Sequence, residues 1–188
     1  MHIACLESLW DNNVEQKLSL IPVLEIISKL HRVKFIHLQC NTRPEFEYNL
    51  LQIRRCMNKK AGYRILYLGF HGEPDRLCLP DGDELRLKEL AAALGKNYRR
   101  WILHLSSCST LKVSKPQIQD FLSATEISVL AGYHRVVDWA EGASMDLIFL
   151  HQILESKCTA LGLRKFKYRY RELMWRTGLC FHFRKKVE

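Results

Sequence analysis

Short apolar runs that alternate with helical patterns constrain this chain more than any other feature. Arg64 to Phe70 (RILYLGF) and Trp101 to Leu105 (WILHL) are apolar at nearly every position, as strands buried on both faces must be. His2 to Leu6, Lys34 to Gln39 and Ile127 to Gly132 read as further strands. Between them lie amphipathic stretches. Val14 to Leu30 places Leu18, Ile21, Leu24 and Ile27 on one stripe, with Pro22 kinking or restarting the helix. Thr42, Pro44 and Glu45 form an N-terminal capping box ahead of the stripe Phe46, Leu50, Ile53 and Met57. Leu87 to Leu94 is helical and stops at Gly95, and Gln117 to Ser123 and Ala140 to Leu154 are the next helices. Arg76 to Leu85 reads as a small β-excursion around the Pro80-Asp81-Gly82 turn. This βαβα order predicts an α/β fold: a three-layer sandwich with a mostly parallel central sheet and helices on both faces.

The 188 residues, 47% hydrophobic, suffice for one compact domain spanning residues 1–188, and no repeat or linker interrupts them. That apolar fraction excludes intrinsic disorder, and no apolar run is long enough to span a membrane. The start lacks a basic region and a long apolar stretch, so no secretion signal is expected and the compartment is taken as cytoplasmic. Seven scattered cysteines without a CxxC pair read as free thiols, with neither a disulfide frame nor a metal site. No Gly-rich phosphate loop is present and no cofactor is expected.

In parallel sheets of this kind, chemistry collects at the carboxyl ends of the strands. Two of the central runs end in reactive residues. RILYLGF leads into His71-Gly72, and WILHL leads into Ser106-Ser107-Cys108-Ser109-Thr110. If those strands are neighbours, His71 and Cys108, 37 residues apart, share one edge of the sheet. A histidine base beside a thiol is the minimum for nucleophilic acyl transfer. The amides of Gly72 and Cys108 are the natural oxyanion donors, and Gly72 permits close approach of the backbone to substrate. The competing reading makes His71-Gly72 a plain turn and Cys108 a buried thiol; the pair, rather than either residue alone, favours catalysis. Ser107 lacks the flanking glycines of a nucleophile elbow. His104 reads as a satisfied core or face residue, and Asp81 to Glu84 as a turn rather than a calcium loop.

The pairing of LGFHG (Leu68 to Gly72) with LHLSSCST (Leu103 to Thr110) resembles the caspase-like cysteine peptidases, above all the bacterial CHAT-type domains. The run from Ser128 to Trp139, with its "VD" at Val137-Asp138, resembles the strand and "VD" segment located after the nucleophile in CHAT-type domains, and the helix from Ala140 stands in the corresponding place. The likeness covers roughly residues 62–155 and is only topological before that. It implies a caspase-like sandwich and a His71–Cys108 dyad, with His71 as general base and Cys108 as nucleophile. It also implies an oxyanion hole from Gly72 and Cys108, and hydrolysis of proteins through a thioester. The residues around Cys108 depart from the animal caspase pattern, which removes any basis for Asp specificity. Asp138 either lines a pocket for a basic P1 side chain or caps the helix from Ala140. By analogy, the chain is a bacterial protease of a defence or cell-death pathway, latent until a partner, scaffold or assembly activates it. The alternative is a catalytically silent binding or adaptor module of the same fold.

The charge is uneven. Residues 157–188 hold 10 Lys/Arg against 2 Asp/Glu, whereas the preceding residues nearly balance. Residues 160–176 read as a basic helix and Leu179 to Phe183 as an edge strand. This segment is either a solvated face or a contact surface for an acidic partner or nucleic acid.

Overall fold

A computed structural model describes residues 1–10, 15, 18–56, 62–156 and 160–185. Strand β1 (His2–Glu7) is followed by α1 (Ile21–His31), β2 (Phe35–Gln39), α2 (Arg43–Cys56) and β3 (Tyr63–Gly69). Three short strands come next, β4 (His71–Glu73), β5 (Arg76–Cys78) and β6 (Glu84–Arg86), and then α3 (Leu87–Leu94). The remainder is β7 (Ile102–Ser106), α4 (Lys115–Thr125), β8 (Val129–Tyr133), α5 (Trp139–Glu155), α6 (Ala160–Arg169), α7 (Arg171–Thr177) and β9 (Leu179–Phe183).

The main sheet runs β2-β1-β3-β7-β8-β9. Its first five strands are parallel and β9 closes it antiparallel to β8. Strand periodicity divides the core in two. Leu6, Leu68, Leu105 and Leu130 face α2, α3 and α4, where they meet Phe46, Leu90 and Phe121. Ile3, Ile65, Ile102 and Val129 face α1 and α5 to α7, where they meet Leu24, Phe149 and Phe166. The result is the expected three-layer α/β sandwich with helices on both faces. Each large apolar side chain taken wholly out of water contributes about 1.5–3 kcal/mol, so these two clusters, rather than local propensity, hold the helices in place.

β1 sends the chain outward to β2, and α2 then returns it across to β3 on the other side. The direction of winding therefore reverses between β1 and β3, where an open crevice forms beyond the carboxyl ends of the strands. Glu7 ends β1 and His71 comes just after β3 at this point.

Three local expectations change. The first helix begins at Ile21, because Pro22 occupies its first turn, where no backbone N–H is required. Its buried side is Val23, Leu24 and Ile27, whereas Leu18 and Ile21 are exposed; Val14 lies outside the described residues, as does Met57. The basic stretch 160–176 is two helices, broken at Tyr170, which leaves helical geometry (φ −112°, ψ 23°). The excursion after β3 is a three-stranded antiparallel sheet, β4-β5-β6, turned by Gly82 at φ 88°. The Thr42 box forms as expected: Glu45 accepts from Asn41 N at 2.7 Å and Thr42 N at 3.2 Å.

Candidate functional site

β3 and β7 are hydrogen-bonded neighbours, with Gly69 opposite Ser106. The segments after them therefore leave the same edge of the sheet side by side. His71 opens β4, where it pairs with Cys78. Cys108 lies two residues beyond β7, in a loop bound on both sides. Ser109 N donates to Arg135 O at 2.9 Å, Leu111 N to Tyr133 O at 3.0 Å, and Asp75 N to Thr110 O at 3.3 Å. His71 and Cys108 line one cleft of about 320 Å³, with Trp10, Leu20, Val137 and Asp138 among its walls.

The His71 ring is oriented by the main chain. Its Nε2 lies 2.7 Å from Trp10 O, and a carbonyl can only accept, so Nε2 carries the proton. In neutral His71 the lone pair is then on Nδ1, the nitrogen free to take a proton. The Trp10 indole packs edge-on against the ring at 5.6 Å. Trp10 is itself pinned by Glu7, a carboxylate only 2% exposed. Glu7 accepts from Trp10 Nε1 at 2.5 Å, Leu20 N at 2.7 Å, Ser19 Oγ at 2.8 Å and His37 Nε2 at 2.6 Å.

The Cys108 thiol is partly exposed and engaged by Val137. Sγ lies 3.4 Å from Val137 O and receives Val137 N–H at 3.4 Å. Among the described residues no hydrogen bond joins it to His71. Burial pushes the thiols of Cys40 and Cys180 up to about 12, that of Cys5 well above its ordinary value, and that of Cys78 upward. These four are poor nucleophiles at neutral pH.

Gly72 has a different reason from the one expected. A Cβ there would lie 2.3 Å from Thr110 Oγ1, 2.7 Å from Cys108 O and 2.9 Å from Ser107 Cβ. The missing side chain admits the 107–110 loop, which fills that space. β4 and the 107–110 segment consequently touch backbone to backbone, which fixes His71 relative to Cys108. Asp138 is the N-cap of α5: Oδ1 accepts from Ala140 N at 2.9 Å and Glu141 N at 3.2 Å. It lines the cleft as well.

Beneath the cleft lies a polar cluster that sequence reasoning missed. Asp146, wholly buried on α5, accepts four hydrogen bonds. His104 Nε2 and Tyr133 Oη reach Oδ1, each at 2.5 Å. Tyr67 Oη and Ser106 Oγ reach Oδ2, each at 2.6 Å. One carboxylate thus ties β3, β7 and β8 together under Ser106 and Tyr133, which form part of the cleft wall. Burial alone would raise the Asp146 pKa, but the His104 imidazole and the hydroxyl donors more than offset it and hold the carboxyl below its usual range. Burial, reinforced by the same carboxylate, pushes both tyrosine hydroxyls well above theirs. His104 is satisfied at Nε2, and its buried Nδ1 has no hydrogen-bond partner among the described residues. The signal lay in register. Tyr67 stands opposite His104 on adjacent strands, and Asp146 interrupts the buried stripe Met145, Phe149, Leu150 and Ile153.

Among the described residues no group of three or more His, Cys, Asp or Glu side chains is placed to hold a metal ion, and no helix is long and apolar enough to cross a membrane. No curated protein matches the sequence. Residues 1–170 match a family of unknown function, DUF6642, and the chain belongs to that family.

Proposed function

We propose that the chain is a caspase-like cysteine peptidase in which Cys108 is the nucleophile and His71 the general base. One observation carries this reading. His71 at the start of β4 and Cys108 in the loop after β7 line the same cleft, and the Trp10 carbonyl leaves His71 with its basic nitrogen unoccupied. In the reaction, His71 Nδ1 takes the thiol proton, and the thiolate attacks the scissile carbonyl to give a tetrahedral oxyanion. That oxyanion is met by the amides of Gly72 and Cys108. Collapse passes the proton from His71 to the leaving amine and leaves a thioester, which water hydrolyses with His71 again as base. Asp138 Oδ2 accepts no hydrogen bond among the described residues, which suits a basic side chain on the acyl side of the bond.

The Cys108–Val137 contacts favour a resting form. The thiol is held by the backbone of Val137 rather than by His71, so the working pair forms only when that segment shifts. A protein partner or assembly that moves it is the activator this reading calls for. A silent adaptor of the same fold keeps the Val137 contact permanently. A bacterial defence role rests on the likeness of the LGFHG and LHLSSCST motifs to CHAT-type domains.

The test is labelling by a panel of peptide electrophiles with basic, acidic and apolar P1 residues, read by mass spectrometry. Modification at Cys108 that His71→Ala abolishes supports the dyad. Modification at an equal rate in His71→Ala, or none at Cys108 under any activating condition, removes the peptidase reading and leaves the adaptor.

A further inference from the structure

The cations of the carboxyl-terminal segment are not used by the cleft, and their arrangement points to a second ligand. Arg164, Lys165, Lys167, Arg169 and Arg171 are all exposed, and among the described residues none enters an ion pair. Arg176, by contrast, is paired with Glu141.

This positive surface continues across the sheet edge. The Arg135 guanidinium stands 5.3 Å from the Trp175 ring centre and donates to Trp175 O at 3.2 Å. The neighbouring His134 donates its backbone N–H to Gly178 O at 3.0 Å. His134 also lines an open groove of about 680 Å³ together with Lys112, Lys115 and His182, where Asp75 is the lone acidic wall residue. Lys185 and Arg184 extend the strip past β9, beside Gln119 of α4. Burial, and then the neighbouring His134, Lys115 and Lys167, hold the His182 imidazole below its ordinary value. The groove is therefore short of negative charge, and Lys167 of α6 is close enough to be felt in it.

Charge alone would suit any polyanion. The aromatic side chains narrow the choice. Trp175 is 70% exposed and Tyr168 is 82% exposed, both set among these cations. Single exposed rings are ordinary on a surface; what sets these two apart is their place beside cations, Trp175 against Arg135 and Tyr168 with Arg169, Arg171 and Arg176. An acidic peptide would satisfy the lysines and arginines but offers nothing flat to stack. A duplex hides its base faces. Unpaired bases on a phosphate chain use both features, the rings as stacking platforms and the cations as phosphate contacts.

We propose that this face binds single-stranded nucleic acid, with Lys112, Lys115, Arg135 and Lys167 on the phosphates and Trp175 and Tyr168 stacked on bases. The inference is independent of the peptidase reading, since the experiment measures binding and not hydrolysis.

The experiment is fluorescence anisotropy of the full chain with labelled oligo(dT) and oligo(rU) of about 15 nucleotides, in salt from about 50 to 200 mM. The expected result is binding whose logarithm falls linearly with the logarithm of salt, with a slope near −3 for about four neutralised phosphates. Lys112→Glu with Lys115→Glu should reduce that slope by about 1 to 1.5. Trp175→Ala should weaken binding roughly 5- to 100-fold. All three side chains are exposed, and circular dichroism with a urea midpoint verifies that the variants are folded. A preference for oligo(rU) or for oligo(dT) names the nucleic acid. The proposal falls if neither oligonucleotide binds at the lowest salt, or if the folded variants bind as the parent does. It also falls if a polyglutamate peptide of the same charge competes equally, which would make the face a site for an acidic protein.

Discussion

Asp146→Asn isolates the hydrogen-bond hub under the cleft, and its cost can be worked out from the donors present. Oδ1 receives His104 Nε2 and Tyr133 Oη, and Oδ2 receives Tyr67 Oη and Ser106 Oγ. An amide keeps one oxygen. It stays on the His104 side, because His104 Nε2 could accept an amide N–H only by moving its proton to Nδ1, which has no partner among the described residues. The amide nitrogen therefore faces Tyr67 and Ser106, whose oxygens turn to accept while their own hydrogens lose their acceptor. Two buried hydroxyl hydrogens left unpaired cost about 1–3 kcal/mol each, or about 2–6 kcal/mol together. Removing a buried charge would offset this if the charge were poorly solvated in the fold. The lowered pKa of Asp146 gives the opposite sign, since the folded surroundings favour the carboxylate more than water does. Ser106→Ala deletes one donor and orphans nothing, so it should cost about 1.5–3 kcal/mol, the worth of one bond to a charged group. Urea unfolding at constant m-value measures both variants, and a domain stable by more than about 6 kcal/mol, within the usual range of about 5–15 kcal/mol, survives either change. If Asp146→Asn falls within about 0.5 kcal/mol of the parent, the hub does not contribute the stability assigned to it. If Ser106→Ala costs as much as Asp146→Asn, the orphaned-hydroxyl argument is wrong.

Gly72→Ala should destabilise the fold by about 1–3 kcal/mol through overpacking, because backbone and Cβ atoms of the 107–110 loop lie within 3.0 Å of the new methyl. The same displacement should slow labelling of Cys108 by roughly 100-fold, the loss expected for an approximately 1 Å misplacement; unchanged stability and labelling would refute the contact between β4 and that loop. Stability against pH has two limbs. Asp146 titrates below its ordinary 3.8 in the fold, so its contribution is present above that pH and is lost as pH falls through the folded value. Tyr67 and Tyr133 titrate well above 10.0, so their contribution is present below pH 10 and is lost as pH rises through the folded values. Urea midpoints recorded across the range should therefore drop at both ends, and Asp146→Asn should flatten the acid limb; an acid limb unchanged in that variant would assign it to other carboxylates.

The strands were legible because burial on both faces leaves a compositional mark. RILYLGF and WILHL could be paired as neighbours, and the reactive residues after them fell on one edge. Helix phase was less legible. Leu18 and Ile21 fit the helical period of Leu24 and Ile27, but Pro22 starts the helix and leaves both exposed. Tyr170 ends α6 without any Gly or Pro to announce it. The partners of the candidate dyad were the least legible. Trp10 holds His71 from 61 residues away, and Val137 holds Cys108 from 29. Both act through main-chain atoms, which every residue carries, so no side-chain pattern can signal them. Gly72 was read as leaving room for substrate, and the sequence does not say that Thr110, Cys108 and Ser107 occupy the space of its Cβ.

Two buried carboxylates frame the cleft, and they act on opposite walls. Glu7 gathers Trp10, Ser19, Leu20 and His37, and so fixes the carbonyl that orients His71. Asp146 gathers Tyr67, His104, Ser106 and Tyr133, and so fixes the ends of the strands from which the Cys108 loop departs. A carboxylate without such donors would lose several kcal/mol of hydration, and an apolar core of equal volume would hold these strands without that penalty. What an apolar core lacks is direction. Four short hydrogen bonds to one carboxylate specify where each donor sits, whereas apolar contacts tolerate sliding. The His71 side and the Cys108 side are thus each tied to a carboxylate, while Val137 holds Cys108 by two contacts to sulfur of 3.4 Å. On the peptidase reading, movement that brings thiol and imidazole together must break the two Val137 contacts in the 134–138 segment. That segment is joined through Arg135 to Trp175, so an occupant of the basic face would bear on the element that holds the thiol.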